Sequence, residues 1–425
     1  MQAIQVDKAK QWAKQISITG AAQIIVQAVG FLSGILVIRL LPVEQYAYYT
    51  IANTMLGTMT VLSDGGISSG VMAQGGKVWQ DKEKLGAVLH TGLHLRKRFA
   101  WGALVVSIPI LCYLLWKQGA DWGTCVLITA SLIPAFFAAL SDNILQIVPK
   151  LHQSITPLQK NQVSVGIGRL LLSGLTLFAF PWAFVAILAS GIPRIWGNRK
   201  LKKIAEPYID HTQKVNKEVQ GEIIRMVKRI MPGAIYFALS GQITIWLLSI
   251  FGTTSSVAQI GALGRLGTIL SVLNIIASTV FVPKFSKITS PKLKLSFFYS
   301  TFFINILFCC IILLLVIGLG DFILLLLGKE YYNLNIELTL FFISSIIGYL
   351  YGYIFLLYTS AGWVLNPLIT IVSNILALIV AFFLFDVSSI RGVLYMNIFV
   401  STISLIREFV YINLKMNSTY KSNLS

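Results

Sequence analysis

Twelve apolar runs, each about the length of a membrane-spanning helix, dominate this 425-residue chain. A helix that crosses the hydrocarbon core of a bilayer needs about 20 predominantly apolar residues. The runs occupy residues 16–41, 46–74, 99–116, 122–148, 162–180, 181–197, 231–251, 257–283, 296–319, 336–358, 366–385 and 389–413. Hydrophobic residues make up 56% of the chain and charged residues only 12%, whereas soluble proteins carry about 25% charged residues. The sequence therefore predicts an all-α integral membrane protein with twelve transmembrane helices.

Lysine and arginine are distributed unevenly between the two sides of such a membrane protein. If the N-terminus is cytoplasmic, the cytoplasmic segments hold 28 of the 34 Lys and Arg residues. The opposite side holds five, and Arg169 lies inside the fifth run. The positive-inside rule predicts this asymmetry only for the correct helix count, because one missed helix would reverse every later loop. We therefore expect twelve helices with both termini in the cytoplasm.

The largest basic burst, ten residues between Arg194 and Arg229, divides the chain into two halves. It predicts an N-terminal six-helix bundle over residues 1–197, a basic cytoplasmic linker over 198–229 and a C-terminal six-helix bundle over 230–425. We expect the two bundles to surround a central cavity, where transporters place their binding sites. The basic residues fall in bursts between apolar runs and do not form a nucleic-acid-binding patch, so anionic lipid headgroups are the expected contact.

The motifs of common enzymes are absent from the sequence. There is no Gly-x-x-x-x-Gly-Lys-Ser/Thr loop for ATP and no Asp-x-Asp pair for a metal-bound nucleotide sugar. His90 and His94 lie one helical turn apart, but no Glu stands between them to act as a general base. We therefore predict a protein that is not an enzyme and that holds no cofactor or metal.

Three short motifs resemble those of the bacterial polysaccharide flippases. The first is a hairpin, residues 30–75, in which an apolar helix ends in Arg-Leu-Leu, a Pro-x-Glu-x-Tyr turn follows, and a second helix closes on Asp-Gly-Gly. The others are Pro-Lys-Phe-Ser at 283–286 and Leu-Gly-Lys-Glu-Tyr at 327–331. These O-antigen-type transporters belong to the superfamily that also holds the multidrug exporters and the peptidoglycan-precursor flippases.

This resemblance implies a transporter in the bacterial inner membrane. Its cargo would be an undecaprenyl-diphosphate-linked oligosaccharide, flipped by alternating access for O-antigen, capsule or a related surface polymer. The implied partners are this lipid-linked oligosaccharide, membrane lipids and other polysaccharide assembly proteins, with no nucleic acid. A diphosphate headgroup needs a hydrated cationic cavity, while the polyprenyl tail can stay in lipid.

Charged residues inside the apolar runs are the candidate functional residues, because a charge in the membrane is costly unless it faces a cavity or a partner. Arg169 and Arg265 lie well inside the fifth and eighth runs, and we predict that they bind the diphosphate. The alternative is that their long side chains reach back to the lipid headgroups. Arg39 and Asp64 lie near the ends of the first two runs and are candidates for interface anchors or a gate.

Polar uncharged residues within the runs predict the lining of the cavity. Gln23 and Gln27 lie one helical turn apart in the first run, and Asn53 lies in the second. Gln242 and Gln259 lie in the seventh and eighth runs. Hydrogen bonding between neighbouring helices explains any single one of them equally well.

Three other classes remain open at this stage. A small-solute carrier of the major-facilitator type also has two six-helix halves, but residues 75–82 lack the Gly-x-x-x-Asp-Arg-x-Gly-Arg-Arg pattern expected of its second loop. A drug exporter of the flippases' own superfamily would more often carry acidic cavity residues. A membrane scaffold that transports nothing also fits the composition.

Overall fold

The computed structural model describes residues 22–210 and 212–422, with side chains as far as residue 418. This part of the chain is helical almost throughout and contains no β-strand. It forms two compact units, of which the first ends at Ile250 and the second begins at Phe251.

Within residues 22–210 and 212–250, the first unit contains ten helices, the last of which ends at Phe251, one residue past the unit boundary. These helices are α1 (Ala22–Leu40), α2 (Val43–Asp64), α3 (Ile67–Lys77), α4 (Lys82–Lys117), α5 (Trp122–Leu145), α6 (Ile147–Leu151), α7 (Ile155–Ala179), α8 (Ala183–Ala205), α9 (Lys217–Ser240) and α10 (Ile243–Phe251). Its core includes a cluster of buried aliphatic side chains from α3, α4 and α9, among them Ile67, Leu85 and Ile223.

The second unit is built around α16, whose side chains Tyr353 and Leu357 are buried against Phe285, Phe298 and Ile412. Its helices are α11 (Thr254–Leu266), α12 (Leu270–Ile276), α13 (Val282–Lys287), α14 (Pro291–Gly318), α15 (Gly320–Leu327), α16 (Asn335–Ser360), α17 (Pro367–Leu384) and α18 (Ile390–Ser422). A 3-10 turn separates α11 from α12, and a π-helical turn separates α12 from α13. The three helices together form one apolar stretch, Thr254–Lys287.

Every predicted apolar run overlaps a helix, except that residues 16–21 lie outside the described part of the chain. Within that part, nine helical stretches are long and apolar enough to span a membrane, and α9 with α10 makes a tenth if the pair is one span bent by 47°. Neither α2 nor α8 is among them, since α2 is rich in Thr and Ser and α8 ends in a run of Arg and Lys. The chain is therefore a multi-pass membrane protein, and the count of twelve spans and the cytoplasmic termini stay predictions.

Several helix boundaries differ from the predicted ones because helices continue past the apolar residues into polar sequence. The third run was expected to begin at residue 99, but α4 begins at Lys82. There, Asp81 caps the helix by accepting hydrogen bonds from the backbone N–H groups of Glu83 and Lys84, both at 3.1 Å. The fifth run was expected to begin at 162, whereas α7 begins at Ile155.

The predicted basic linker, residues 198–229, is also mostly helical. Its start belongs to α8, which continues to Ala205, and its end belongs to α9, which begins at Lys217. Only residues 206–216 connect the two helices. The buried side chains Ile223 and Val227 pack α9 into the first unit, whose last residue is Ile250. The division into two six-helix bundles joined by a linker stays a prediction.

Candidate functional site

The structure places Gln242 beside the helix that carries Asn53. On α2, Asn53 and Gly57 are exposed and lie one turn apart, so they share a face of the helix. A Cβ at Gly57 would lie 4.0 Å from the amide nitrogen of Gln242. Gln242 occupies the corner where α9 bends into α10. The bend thus presents a side-chain amide to the face of α2 that carries Asn53.

The other two amides of the first unit, Gln23 and Gln27, are half-buried on α1. Their helix packs against α7 through two glycines, since a Cβ at Gly166 would lie 3.3 Å from Val29 and one at Gly174 would lie 3.6 Å from Leu36. Small residues allow such close approach of two membrane helices.

The half-buried Arg169 lies on α7 between these two glycines. The helix α7 begins at Ile155, but its first turns carry Lys160, Asn161 and Gln162, so the apolar part still begins near residue 162. Arg169 lies about 10 Å beyond that point, at 1.5 Å per residue, and ten further residues follow it before the helix ends at Ala179. Arg169 therefore lies within the apolar part of α7, and its place in a cavity stays a prediction.

Arg265 and Gln259 lie on α11 in the second unit, and both are half-buried. Gln259 donates a hydrogen bond to the hydroxyl of Ser255 at 3.2 Å. Arg265 is followed directly by the end of α11 and the 3-10 turn Gly267–Ile269. Such interruptions of a long helix are common at hinges and functional sites. The candidate arginine thus adjoins a break in its helix.

Asp64 is not an isolated interface charge, because it forms an ion pair with an arginine that the sequence analysis had assigned to a cytoplasmic segment. Arg96 Nη2 lies 3.1 Å from Asp64 Oδ1, and the Arg96 side chain is only 2% exposed. Ser68 joins the pair, since its hydroxyl donates to Asp64 at 2.5 Å and accepts from Arg96 Nη1 at 3.3 Å. Arg39, by contrast, is exposed near the end of α1.

This ion pair holds a break between α2 and α3. Gly65 and Gly66 form the break with φ of 47° and 101°, values that favour glycine. A Cβ at Gly66 would lie 2.9 Å from the Cβ of Ile230, so α9 packs closely against the break. The Asp-Gly-Gly motif that closes the resembling hairpin is therefore a sharp turn between two helices, with its carboxylate paired.

The sequence analysis missed a second internal charge cluster, in the second unit. Arg407 was counted among the C-terminal cytoplasmic basic residues and Glu408 was not considered, but Glu408 is 2% exposed and its Oε1 lies 2.8 Å from Arg407 Nη2. Arg407 Nη1 also donates to Ser373 at 2.5 Å and to Asn374 at 2.7 Å, both on α17. Composition gave no signal for this cluster, although two adjacent opposite charges within the twelfth run, 389–413, were visible in the sequence.

No group of three or more His, Cys, Asp or Glu side chains within the described residues could hold a metal ion. The internal charges described above are the Arg96–Asp64 and Arg407–Glu408 ion pairs, and Arg169 and Arg265 also lie inside apolar helices.

The fold and these residues define a multi-pass helical membrane protein with arginines inside both units. Among solved structures, the chain is similar to the lipid II flippase MurJ in an inward closed conformation, with a TM-score of 0.73 and 13% identity over 96% of this chain and 90% of that one. It is also similar to an inward-facing multidrug resistance MATE family transporter of the MOP superfamily, with a TM-score of 0.71 and 13% identity over 93% and 96% of the two chains. An outward-facing MATE transporter gives 0.64 with 12% identity over 96% of both chains.

No protein-family model and no curated protein matches the sequence. At 12–13% identity these likenesses concern the fold alone, which is similar to the folds of the MurJ flippase and the two MATE transporters. The finer resemblance to the O-antigen-type flippases stays a prediction.

Proposed function

We propose that this protein is a transporter of the bacterial inner membrane that flips an undecaprenyl-diphosphate-linked oligosaccharide. The observation that carries the proposal is the presence of an arginine inside an apolar helix of each unit, in a fold shared with a lipid II flippase. The cargo would serve O-antigen, capsule or a related surface polymer, and other polysaccharide assembly proteins would supply and remove it.

Arginine suits a diphosphate for two physical reasons. Its planar guanidinium donates paired hydrogen bonds to phosphate oxygens, and it keeps its charge at any attainable pH. Arg169 on α7 and Arg265 on α11 belong to different units, so each could contact the diphosphate in a different conformation of one transport cycle. The amides of Gln23, Gln27, Asn53, Gln242 and Gln259 would supply further hydrogen bonds to water and sugar hydroxyls.

The direct test is mass spectrometry of lipid-linked intermediates in a strain that lacks the protein. We expect one polyprenyl-diphosphate glycan to accumulate on the cytoplasmic leaflet, and its composition would identify the cargo. An unchanged pool of lipid-linked intermediates would contradict the proposal.

A second candidate function is export of a drug or another small solute, which the likeness to MATE transporters supports equally well. The same deletion strain distinguishes the two. A small-solute exporter would leave the lipid-linked pool unchanged and would make the strain more sensitive to its substrates, whereas a flippase would change the pool and the surface polymer.

Substitution of the two arginines tests the residues themselves. Because a charged hydrogen bond contributes about 1.5–3 kcal/mol, Arg265→Ala should reduce transport by about tenfold or more. Arg265→Lys should reduce it less, since the charge remains and only the paired geometry is lost. Arg169→Ala should act in the same direction. Surface polymer and protein level are both measured, and the exposed Arg229→Ala serves as the matched control.

If Arg265→Ala and Arg169→Ala both express normally and display full surface polymer, the arginines reach the headgroups and do not bind cargo. Orientation needs a separate measurement. In a variant without its native cysteines, we expect Lys117→Cys to react from outside and Lys203→Cys from the cytoplasm, because both positions are exposed. Reaction of Lys117→Cys only from the cytoplasm would contradict the proposed topology.

A further inference from the structure

A groove between α5 and α8 in the first unit carries apolar and basic residues side by side. Its volume is about 370 Å³. On α5 it is lined by residues one turn or less apart, and on α8 by residues that recur along one face. The lining residues are Pro134, Phe137, Ala138, Ser141, Ile195, Asn198, Arg199 and Lys202.

The charge of the groove is uncompensated. Arg199 and Lys202 are exposed, and neither forms an ion pair within the described part of the chain. The neighbouring Arg194, by contrast, already faces a carboxylate, since its Nε lies 4.0 Å from Asp142 Oδ2. Two cations one turn apart at the mouth of a groove therefore remain available to an anion.

The groove is apolar at one end and basic at the other, which matches the acyl chain and the headgroup of a phospholipid. Ile195 and Lys202 are separated by about 10 Å of helix, at 1.5 Å per residue, so the apolar end and the basic end are one headgroup apart. On α5, Pro134 and Phe137 continue the apolar floor. The exposed Trp101 packs edge-on against Phe137 with 6.1 Å between ring centroids. Tryptophan is enriched at the membrane interface, which places this groove at the level of the headgroups.

Asn198 joins the two helices beneath the cations. It is 7% exposed, and its Nδ2 donates to the carbonyl of Ala138 at 2.7 Å. This hydrogen bond links α8 to α5 and fixes the wall of the groove between them.

We propose that the groove between α5 and α8 binds an anionic phospholipid. Arg199 and Lys202 bind the phosphate, and one acyl chain lies over Pro134 and Phe137. This site is separate from the proposed cargo-binding arginines and does not depend on the transport function.

Native mass spectrometry of the full chain with added phosphatidylglycerol tests the site. We expect R199Q/K202Q to lower the affinity for phosphatidylglycerol by about tenfold or more, because each basic residue at a membrane surface contributes about 1 kcal/mol. The matched control K228Q/R229Q removes the same two residue types from exposed positions on α9 and should change the affinity less than twofold.

A second variant separates the groove from charge alone. Ser141→Leu keeps both cations and fills the floor of the groove, so it should also weaken phosphatidylglycerol binding, whereas phosphatidylethanolamine, which is zwitterionic, should bind weakly to all variants. Equal loss in both double variants, an unaffected Ser141→Leu variant, or displacement of the lipid by soluble glycerol phosphate at equal concentration would overturn the proposal. Size-exclusion profiles confirm that each variant is folded.

Discussion

The two units each bury an arginine, but they neutralise it in different ways. In the first unit, Arg96 on α4 pairs with Asp64 at the end of α2, so its charge joins separate helices. In the second unit, Arg407 pairs with its chain neighbour Glu408 and uses Nη1 for neutral oxygens of α17. Arg96 thus depends on one carboxylate and one hydroxyl, whereas Arg407 is held by several acceptors.

This difference predicts in which unit the removal of a charge lowers the free energy of unfolding more. A buried ion pair contributes little relative to apolar packing, but removing one partner leaves an unsatisfied charge. The cost of that removal depends on how many other acceptors remain. Arg96 Nε has no hydrogen-bond partner within residues 22–210 and 212–418, while Arg407 Nε donates to Glu408 at 3.2 Å. The first unit should therefore be the more sensitive one.

The largest expected effect is that of Asp64→Asn. It removes the one carboxylate in contact with Arg96, and we expect a loss of about 3 kcal/mol in the free energy of unfolding. Asp142 attracts Arg96 from further away and keeps the loss at the lower end of the usual range. Denaturant unfolding in micelles measures it. The double variant Asp64→Asn/Arg96→Met should recover most of the loss, and a strictly additive double variant would argue against the pair.

Gly66→Ala should have the next largest effect, a loss of about 2 kcal/mol in the free energy of unfolding, because the new Cβ would lie 2.9 Å from Ile230 and φ is 101°. Denaturant unfolding in micelles measures this loss as well. Gly221→Ala on α9 is the matched control, since no atom lies within 4 Å of its added Cβ. Alanine favours a helix over glycine, so this control should be stabilised by about 0.5–1 kcal/mol. Destabilisation of both variants alike would remove the close approach as the cause.

Glu408→Gln should lower the free energy of unfolding by about 1–2 kcal/mol, which is less than the loss expected for Asp64→Asn. Arg407 would keep Ser373 and Asn374 as acceptors, whereas Arg96 would keep only Ser68 beside the amide that replaces its carboxylate. This variant tests the comparison most directly. A loss equal to or greater than that of Asp64→Asn would show that the two arginines are equally dependent on their carboxylates.

The smallest effects are expected from the two serines that contact these arginines. Ser68→Ala should cost about 1 kcal/mol, the usual contribution of one hydrogen bond. Ser373→Ala should cost less, because Asn374 Oδ1 lies 2.7 Å from the same nitrogen of Arg407. A larger loss for Ser373→Ala than for Ser68→Ala would contradict the inference that Arg407 has alternative hydrogen-bond acceptors.

The break between α2 and α3 shows which features of the site the sequence could predict and which it could not. The Asp-Gly-Gly motif was singled out, and Asp64 was named as an anchor or gate. The partner of Asp64 was not identified, because Arg96 stands beside Lys97 and Arg98 and was counted with them as a cytoplasmic charge. Only the packing of α3 against α4 places Arg96 inside while its neighbours stay near the surface.

The sequence by itself determined the membrane class and the helical segments, because the bilayer demands long apolar runs and internal backbone hydrogen bonding. It also identified Arg169 and Arg265 as charges inside apolar helices. The tertiary structure decided which charges are paired, where α8 and α9 end and begin, and that α9 packs into the first unit. Those outcomes depend on contacts between residues far apart in the chain, such as Arg96 with Asp64, and local composition does not encode them.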